Sequence, residues 1–419
     1  MKQSGKVFYG VLNQAVLSLG TFLTLIFAAR GYPSDVLGVF TMGAVTYQML
    51  TVISRALAGE PLIVLPAKNE ADVRVECTRC LQFSGTIAIP IGIVGVIGVV
   101  LADSVVKAVC ASLVILPGLM VQDALRHVLL RRSQFGTALV YDALVVSIQV
   151  AVVAVGASQG FEPWLLILLL GLPAFIVGYA RSYYERAGIS ISGAVAWRKQ
   201  SRSLGNGFVF EATLGAVVQW VTLLAVAHFT SLSEAAAFRA IISIYGLTNI
   251  VTNYLRSHYL AQLARRGIES GKAVRRSVIE MGSMTMVTVG VTFVGLLLLP
   301  AGIGEKLLGD TWALAVPFLG LGALDRLCAG LTTIPSVILR VLRAPWRAAG
   351  SRVAVGVLTV VCAPVAVSMG GAGAGFIALS VMSVILTLLL SAICMAVWRA
   401  RVLEPSSIAE PEGFTRSHL

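Results

Sequence analysis

The chain has 419 residues, of which 57% are hydrophobic and only 12% are charged, and its formal net charge is +12. Together with a mean hydropathy of +0.87, this composition indicates a polytopic membrane protein and excludes an ordinary soluble domain. A basic balance is typical of the cytoplasmic loops of such proteins, so we expect no nucleic-acid partner. Long apolar runs predict twelve spans, at roughly 7–29, 38–58, 81–102, 104–125, 137–157, 163–181, 207–228, 234–257, 277–299, 312–336, 349–368 and 373–398.

The first two predicted spans carry polar side chains along one face. Gln14, Ser18 and Thr21 follow helical spacing in the first span, and Gln48 and Arg55 do so in the second. Lipid offers no hydrogen-bond partners, so each polar stripe should face protein or a water-filled cavity. For a single helix, hydrogen bonds to a neighbouring helix would explain the stripe equally well.

The same design returns in the second half of the chain. Gln219 lies in the seventh predicted span, and Arg239, Asn249 and Asn253 share a face of the eighth. Two polar hairpins in equivalent places favour a cavity, and six spans per half give repeats of the same orientation. The predicted fold is therefore an all-α membrane protein whose twelve transmembrane helices form two six-helix, pseudo-repeated lobes around a central cavity. The predicted domains are an N-terminal lobe (1–190), a cytoplasmic linker (191–204), a C-terminal lobe (205–398) and a disordered cytoplasmic tail (399–419).

Lysine and arginine are distributed unevenly between the loops. The loops predicted to lie outside keep only Arg30, Lys107 and Lys306, and Arg239 and Arg326 lie within spans, while the rest of the 32 basic residues fall in the alternate segments. By the positive-inside rule, both termini are cytoplasmic.

The sequence offers no motif for catalysis. Cys77 and Cys80 form a single C-x-x-C in a predicted cytoplasmic loop, with no second pair to complete a structural zinc site. No phosphate-binding NTPase loop and no nucleophile–base pair is present, so we expect no enzyme activity, no cofactor and no bound metal. The remaining ionisable residues of interest are carboxylates within or near the spans, namely Asp123, Asp142, Glu211 and Asp325, of which Asp123 can pair locally with Arg126.

Several segments resemble a known superfamily. AARGYPSDVLGVFTM, with Arg30, Pro33, Gly38 and Phe40, is similar to the first loop of bacterial polysaccharide exporters of the multidrug/oligosaccharidyl-lipid/polysaccharide (MOP) superfamily. LPGLMVQDALRHVLLRRSQFGTALVYDAL looks like the fourth-to-fifth-helix segment of O-antigen flippases, and GEKLLGDTWALAVP like the outside loop before helix ten. The end of the second span, Arg55 to Glu60, is similar to that of lipid II flippases, but Gly and Glu are exchanged and the two extra helices are missing.

The resemblance implies a transporter that flips a polyprenyl-diphosphate-linked oligosaccharide or polysaccharide precursor across the bacterial cytoplasmic membrane. It implies a cationic cavity, for which we predict these lining residues: Arg30, Arg55, Arg239, Arg326, Gln14, Gln48, Gln219, Asn249 and Asn253. Guanidinium suits a diphosphate because it stays protonated and binds phosphate oxygens in bidentate fashion. Arg30 would equally serve as an interfacial anchor, and Arg239 as the buried partner of Glu211.

The antiporter branch of the same superfamily leads to the main alternative, a cation-coupled multidrug or metabolite antiporter. Glu211 and Asp325 sit where the cation ligands of that branch commonly lie, so they are the candidates for coupling to H+ or Na+; a salt bridge to Arg239 or Arg326 is the structural alternative. A membrane glycan polymerase or ligase would need catalytic residues on a sizeable outside loop, which the sequence lacks. A scaffold would leave the polar stripes unexplained. The expected partners are the lipid-linked glycan and membrane lipids.

Overall fold

The computed structural model describes residues 3–65, 69–185, 187–266, 271–342 and 345–403. Within these ranges the chain is helical, with no strand. The helices are α1 (Gln3–Gly31), α2 (Ser34–Leu57), α3 (Gly59–Val64), α4 (Glu70–Leu101), α5 (Ser104–Arg131), α6 (Phe135–Ser158), α7 (Pro163–Tyr184), α8 (Ile191–Phe229), α9 (Leu232–Gly246), α10 (Asn249–Arg266), α11 (Gly271–Leu297), α12 (Ala301–Leu308), α13 (Thr311–Ala315), α14 (Leu319–Leu331), α15 (Thr333–Val341) and α16 (Ala349–Leu403).

The predicted number of spans is confirmed. Within the described residues, ten helical segments are long and apolar enough to cross a membrane, and α9 with α10 forms a further candidate span bent by 43°. Helix α16 is two helices joined at Gly370 and Gly371, and Gly371 has a φ of 69°, a conformation that favours glycine. Dividing α16 at that turn brings the total to the twelve spans expected from the sequence.

Two helices begin well before the apolar runs that predicted them. Helix α4 starts at Glu70, where the side chain of Asn69 accepts a hydrogen bond from the backbone N–H of Asp72. The expectation that Cys77 and Cys80 lie in a loop is therefore wrong, because both are buried in α4. Hydropathy detects only the part of a helix that crosses lipid, so charged helical extensions escape it.

The predicted linker, 191–204, forms the first part of α8. Ser190 caps this helix by accepting a hydrogen bond from the backbone N–H of Gly193. Trp197 is fully buried among residues of the first half, and its Nε1 donates to the carbonyl of Leu57 (3.3 Å). A single helix thus packs on the first half at its N-terminal part and runs on to Phe229. The assignment of lobes and linker stays a prediction, and residues 404–419 of the predicted tail lie outside the described residues.

Among the described residues, one buried cluster contains residues of both halves, and it lies at one end of the molecule. One cluster of buried residues joins Leu37 and Phe40 of α2 to Phe238 and Ile241 of α9. A hydrogen bond from Ser34 Oγ to Ser233 Oγ (3.0 Å) lies at the same end. The second cluster belongs to the first half with the start of α8, and the third lies in the second half alone. The halves are therefore joined at the end predicted to face outside and have separate cores at the end predicted to face the cytoplasm.

Candidate functional site

A cavity of about 510 Å³ opens within the second half of the chain. Its walls come from α8, α9, α10, α14, α15 and α16. Most of the lining is aliphatic, but the polar and charged lining residues include Gln219, Thr222, Arg256, Asp325, Arg326, Thr332, Thr333, Ser336, Arg340, Arg352, Thr359 and Ser383. Four arginines thus face a single carboxylate among the described lining residues, so the cavity is strongly cationic.

The arginines reach the cavity from different helices. Helix α15 places Ser336 and Arg340 one turn apart on one face. Arg352, in the first turn of α16, donates from Nη2 to Ser336 Oγ (2.8 Å). Arg326 of α14 donates from Nη1 to Asn249 Oδ1 (3.1 Å), while its Nε is buried and makes no hydrogen bond within the described residues. A buried N–H without a partner costs free energy, so this donor is available to an incoming acceptor.

A carboxylate of the first half interacts with the same arginines. Glu60, in the first turn of α3, interacts electrostatically with Arg55 and also with Arg256 and Arg340 across the space between the halves. In contrast, Asp325 forms no ion pair within 4 Å among the described residues. The charge of the cavity is therefore only partly balanced from within the protein.

Three of the predicted site residues, Gln219, Asp325 and Arg326, come together in this cavity. Asn249 joins them through its hydrogen bond to Arg326. Asn253 is exposed on α10. The side chain of Glu211 lies outside the described residues, so neither its role in coupling nor its pairing with Arg239 is tested.

The other predicted residues lie elsewhere. Arg239 donates from Nη2 to Gln48 Oε1, which links α9 to α2 across the two halves. Nearby, Trp220 Nε1 donates to Thr46 Oγ1 (2.9 Å) across the same contact. Gln14 donates to Ser18 Oγ (3.3 Å) within α1. Arg30 is exposed at the end of α1.

Arg55 is held by a carboxylate. Its Nη2 lies 2.8 Å from Asp123 Oδ1, and its Nε lies 3.2 Å and 3.3 Å from the two carboxylate oxygens. The ion pair predicted between Asp123 and Arg126 is loose, because Arg126 Nη1 lies 3.9 Å from Asp123 Oδ1. The guanidinium of Arg55 is thus committed within the first half, although a third of its side chain is exposed.

Three cavity arginines were not predicted, because the sequence pattern assigns them to cytoplasmic segments: Arg256, Arg340 and Arg352. One pattern could have found two of these arginines. Ser336 and Arg340 follow helical spacing after Thr333, and Arg352 opens the next helix at the same end of the molecule. The pattern does not reveal that α14 and α15 are separate helices that meet at Thr332.

Comparison with solved structures places the fold. The chain is similar to a eukaryotic MATE transporter (AtDTX14), with a TM-score of 0.64, 15% identity, and coverage of 96% of this chain and 98% of that one. It is similar to the lipid II flippase MurJ in an inward closed conformation (TM-score 0.64, 11% identity, 96% and 94% covered). An outward-facing multidrug resistance MATE family transporter of the MOP superfamily matches at a TM-score of 0.62, with 11% identity and 94% and 95% covered.

No protein-family model and no curated protein matches the chain. At these identities the structural likeness concerns the fold, over nearly the whole length of each chain. The neighbours are transporters rather than enzymes, and the chain has the multi-pass, all-helical fold shared by MATE transporters and the MurJ flippase.

Proposed function

We propose that the protein transports an anionic lipid-linked glycan precursor, carried on a polyprenyl diphosphate, across the bacterial cytoplasmic membrane. The observation that carries this proposal is the charge of the cavity, where four arginines face one carboxylate among the described lining residues. A diphosphate inside a bilayer needs its charge balanced, and guanidinium provides permanent charge and two parallel donors. In this proposal the diphosphate binds to the four cavity arginines, which are Arg256, Arg326, Arg340 and Arg352.

The apolar part of the same cavity suits the lipid. Leu214, Val218, Ile242 and Leu386 line it beside the arginines. A prenyl chain can leave the bilayer for such side chains at little cost, because lipid tails are about as apolar as leucine. One amphipathic cavity would therefore accept the two chemically opposite parts of the carrier.

The distribution of cores supports alternating access. We propose that the two halves rock about their shared outer core, because the inner ends of the halves pack separately. In this proposal Arg239, Gln48 and Arg55 act at or near the contact between the halves, while Gln219 and Arg326 contact the substrate. The unequal distribution of basic loops supports cytoplasmic termini.

A deletion strain tests the proposal. The lipid-linked precursor should accumulate on the cytoplasmic leaflet when the protein is absent, and wild type should clear it. The double variant Arg326→Gln, Arg340→Gln should fail to clear it at normal protein levels, because two of the phosphate donors are lost. Arg275→Gln is the matched control, since Arg275 is an exposed arginine at the start of α11. Normal clearance by the double variant would contradict the cationic-cavity mechanism.

A cation-coupled multidrug or metabolite antiporter is the second candidate. The observation that favours it is Asp325, a cavity carboxylate without an ion pair within 4 Å in the described part of the chain. This function predicts binding of a cationic dye that Asp325→Asn abolishes. The lipid-diphosphate function predicts instead that pyrophosphate binds and that Asp325→Asn leaves this binding intact.

A further inference from the structure

A second group of buried charges lies in the first half, apart from the cavity. It contains two carboxylates, Asp123 of α5 and Asp142 of α6, which are 4% and 1% exposed. Two arginines accompany them, Arg55 of α2 and Arg126 of α5. Ionisable groups inside a membrane-spanning bundle are expensive and need partners, so the quality of each pairing is informative.

The two carboxylates are held unequally. Asp123 accepts from both Nη2 and Nε of Arg55, at 2.8 Å and 3.2 Å. Asp142 is held by neutral amides, since Asn13 Nδ2 donates at 3.0 Å and Gln122 Nε2 at 2.8 Å. Neutral donors stabilise a carboxylate less than a close guanidinium does. Of the two carboxylates, Asp142 therefore binds a proton at lower cost.

Arg126 lies between the two carboxylates and makes a close ion pair with neither. Its Nη1 lies 3.9 Å from Asp123 Oδ1, and its Nε lies 3.8 Å from Asp142 Oδ2. The same Nε is buried and makes no hydrogen bond within the described residues. A guanidinium in this position has two alternative partners, so a change of charge on one carboxylate shifts it toward the other.

The surroundings of Asp142 also accommodate a protonated carboxyl. Asn13 donates through Nδ2, but its Oδ1 is buried and accepts no hydrogen bond from the described residues. A carboxylic acid has the O–H donor that this oxygen lacks. Protonation would thus satisfy a buried acceptor that the charged form leaves unsatisfied.

The remaining charged neighbours connect this group to the space between the halves. His127 lies on Asp123, with Nδ1 2.7 Å from the backbone carbonyl and 3.5 Å from Oδ2. Glu60 interacts electrostatically with Arg55 and Asp123 on one side and with Arg256 and Arg340 on the other. A shift of the Arg126 guanidinium toward Asp123 therefore changes the electrostatic environment of Arg55. Through Glu60, the change extends to Arg256 and Arg340 of the cavity.

We infer that Asp142 is a proton-binding site and that Arg126, Asp123 and Arg55 relay its charge state to the interface between the halves. A proton from water adds to a carboxylate oxygen of Asp142, and no other covalent bond forms or breaks. Arg126 then moves to Asp123 and competes with Arg55, whose guanidinium turns toward Glu60. This inference goes beyond the proposed function, because it names the coupling ion and its binding site. It applies whichever substrate the protein transports.

Infrared difference spectroscopy on the purified full-length protein tests this without substrate. Lowering the pH from about 8 to about 5 should produce a band of a protonated buried carboxyl. Asp142→Asn should remove the band, and Asp142→Glu should retain it at a shifted frequency. Asp103→Asn is the matched control because Asp103 is exposed at the start of α5, and Asp325→Asn separates this site from the cavity carboxylate.

Arg126→Gln tests the relay. Loss of the positive charge should move the midpoint of the band to higher pH, because the carboxylate form loses its partner. A band that persists in a folded variant carrying both Asp142→Asn and Asp325→Asn, or a band that Asp325→Asn alone removes, would overturn the assignment. If Asp142→Asn does not fold, an unshifted band in Asp142→Glu overturns it as well. An unchanged midpoint in Arg126→Gln would overturn the relay.

Discussion

Identical guanidinium groups have different roles in this protein because their neighbours differ. Arg55 is neutralised by Asp123, Arg239 is bound to the amide of Gln48, and Arg326 is bound to the amide of Asn249, with a buried Nε that makes no hydrogen bond within the described residues. An arginine already paired with a carboxylate must give up that partner before it binds phosphate. Arginines without a close carboxylate are therefore the better candidates for holding a diphosphate.

The pair of Arg55 and Asp123 gives a prediction at this scale. Asp123→Asn leaves a mostly buried guanidinium without its counter-charge, which should lower the free energy of unfolding by about 3–5 kcal/mol. Unfolding by titration with a denaturing detergent measures the change. Arg276→Gln is the comparison, because Arg276 pairs with Glu280 in an exposed position and its loss should leave stability unchanged. Equal stability of Asp123→Asn and wild type would show that the buried pair is not structural.

At the scale of elements, α8 connects the two halves as one continuous helix. Its start is fixed by Trp197, whose indole is buried on the first half, and its end lines the cavity of the second. Trp197→Ala should cost about 3–5 kcal/mol, whereas Ile191→Ala, at a side chain 74% exposed, should cost little. A small effect of Trp197→Ala would mean that the start of α8 is not anchored in this way.

The contact between α2 and α9 depends on a glycine. A Cβ atom on Gly38 would meet the backbone carbonyl of Leu232 from the other half. Gly38→Ala should therefore destabilise the joined outer end by about 1–3 kcal/mol. Gly290→Ala is the matched control, because the space beside Gly290 in α11 is open. The midpoints of thermal unfolding should separate the two variants, and equal midpoints would contradict the close contact.

Sequence periodicity and hydropathy predicted the elements better than the site. The apolar runs identified all twelve spans, since each must satisfy the same length and composition in lipid. They missed the extension of α4 to Glu70 and the break between Gly246 and Asn249, which depend on capping and tertiary packing. The cavity brings together arginines that are nearly a hundred residues apart, and no local pattern encodes such proximity.

At the scale of the whole molecule, the proposed mechanism makes the shared core the closed end and assigns opening to the end where the cores are separate. The distribution of basic residues predicts that the closed end faces outside. Single cysteines at positions 160, 231 and 305 should therefore react with a membrane-impermeant reagent added to intact cells, while positions 70 and 190 should not. Outside labelling at position 190 would contradict the arrangement of two six-helix halves with a cytoplasmic connection.

Translocation in vesicles tests the central claim, that a cationic cavity carries a lipid-linked diphosphate. Purified protein would be reconstituted with a fluorescent prenyl-diphosphate sugar, and transfer between leaflets followed by quenching from outside. The account predicts transfer by wild type and by Arg275→Gln, and loss of transfer in the double variant Arg326→Gln, Arg340→Gln, which should remain folded. Two results would contradict the cationic-cavity mechanism. One is transfer of the lipid by the double variant at the wild-type rate. The other is that the wild-type protein exports a cationic dye but does not transfer the lipid.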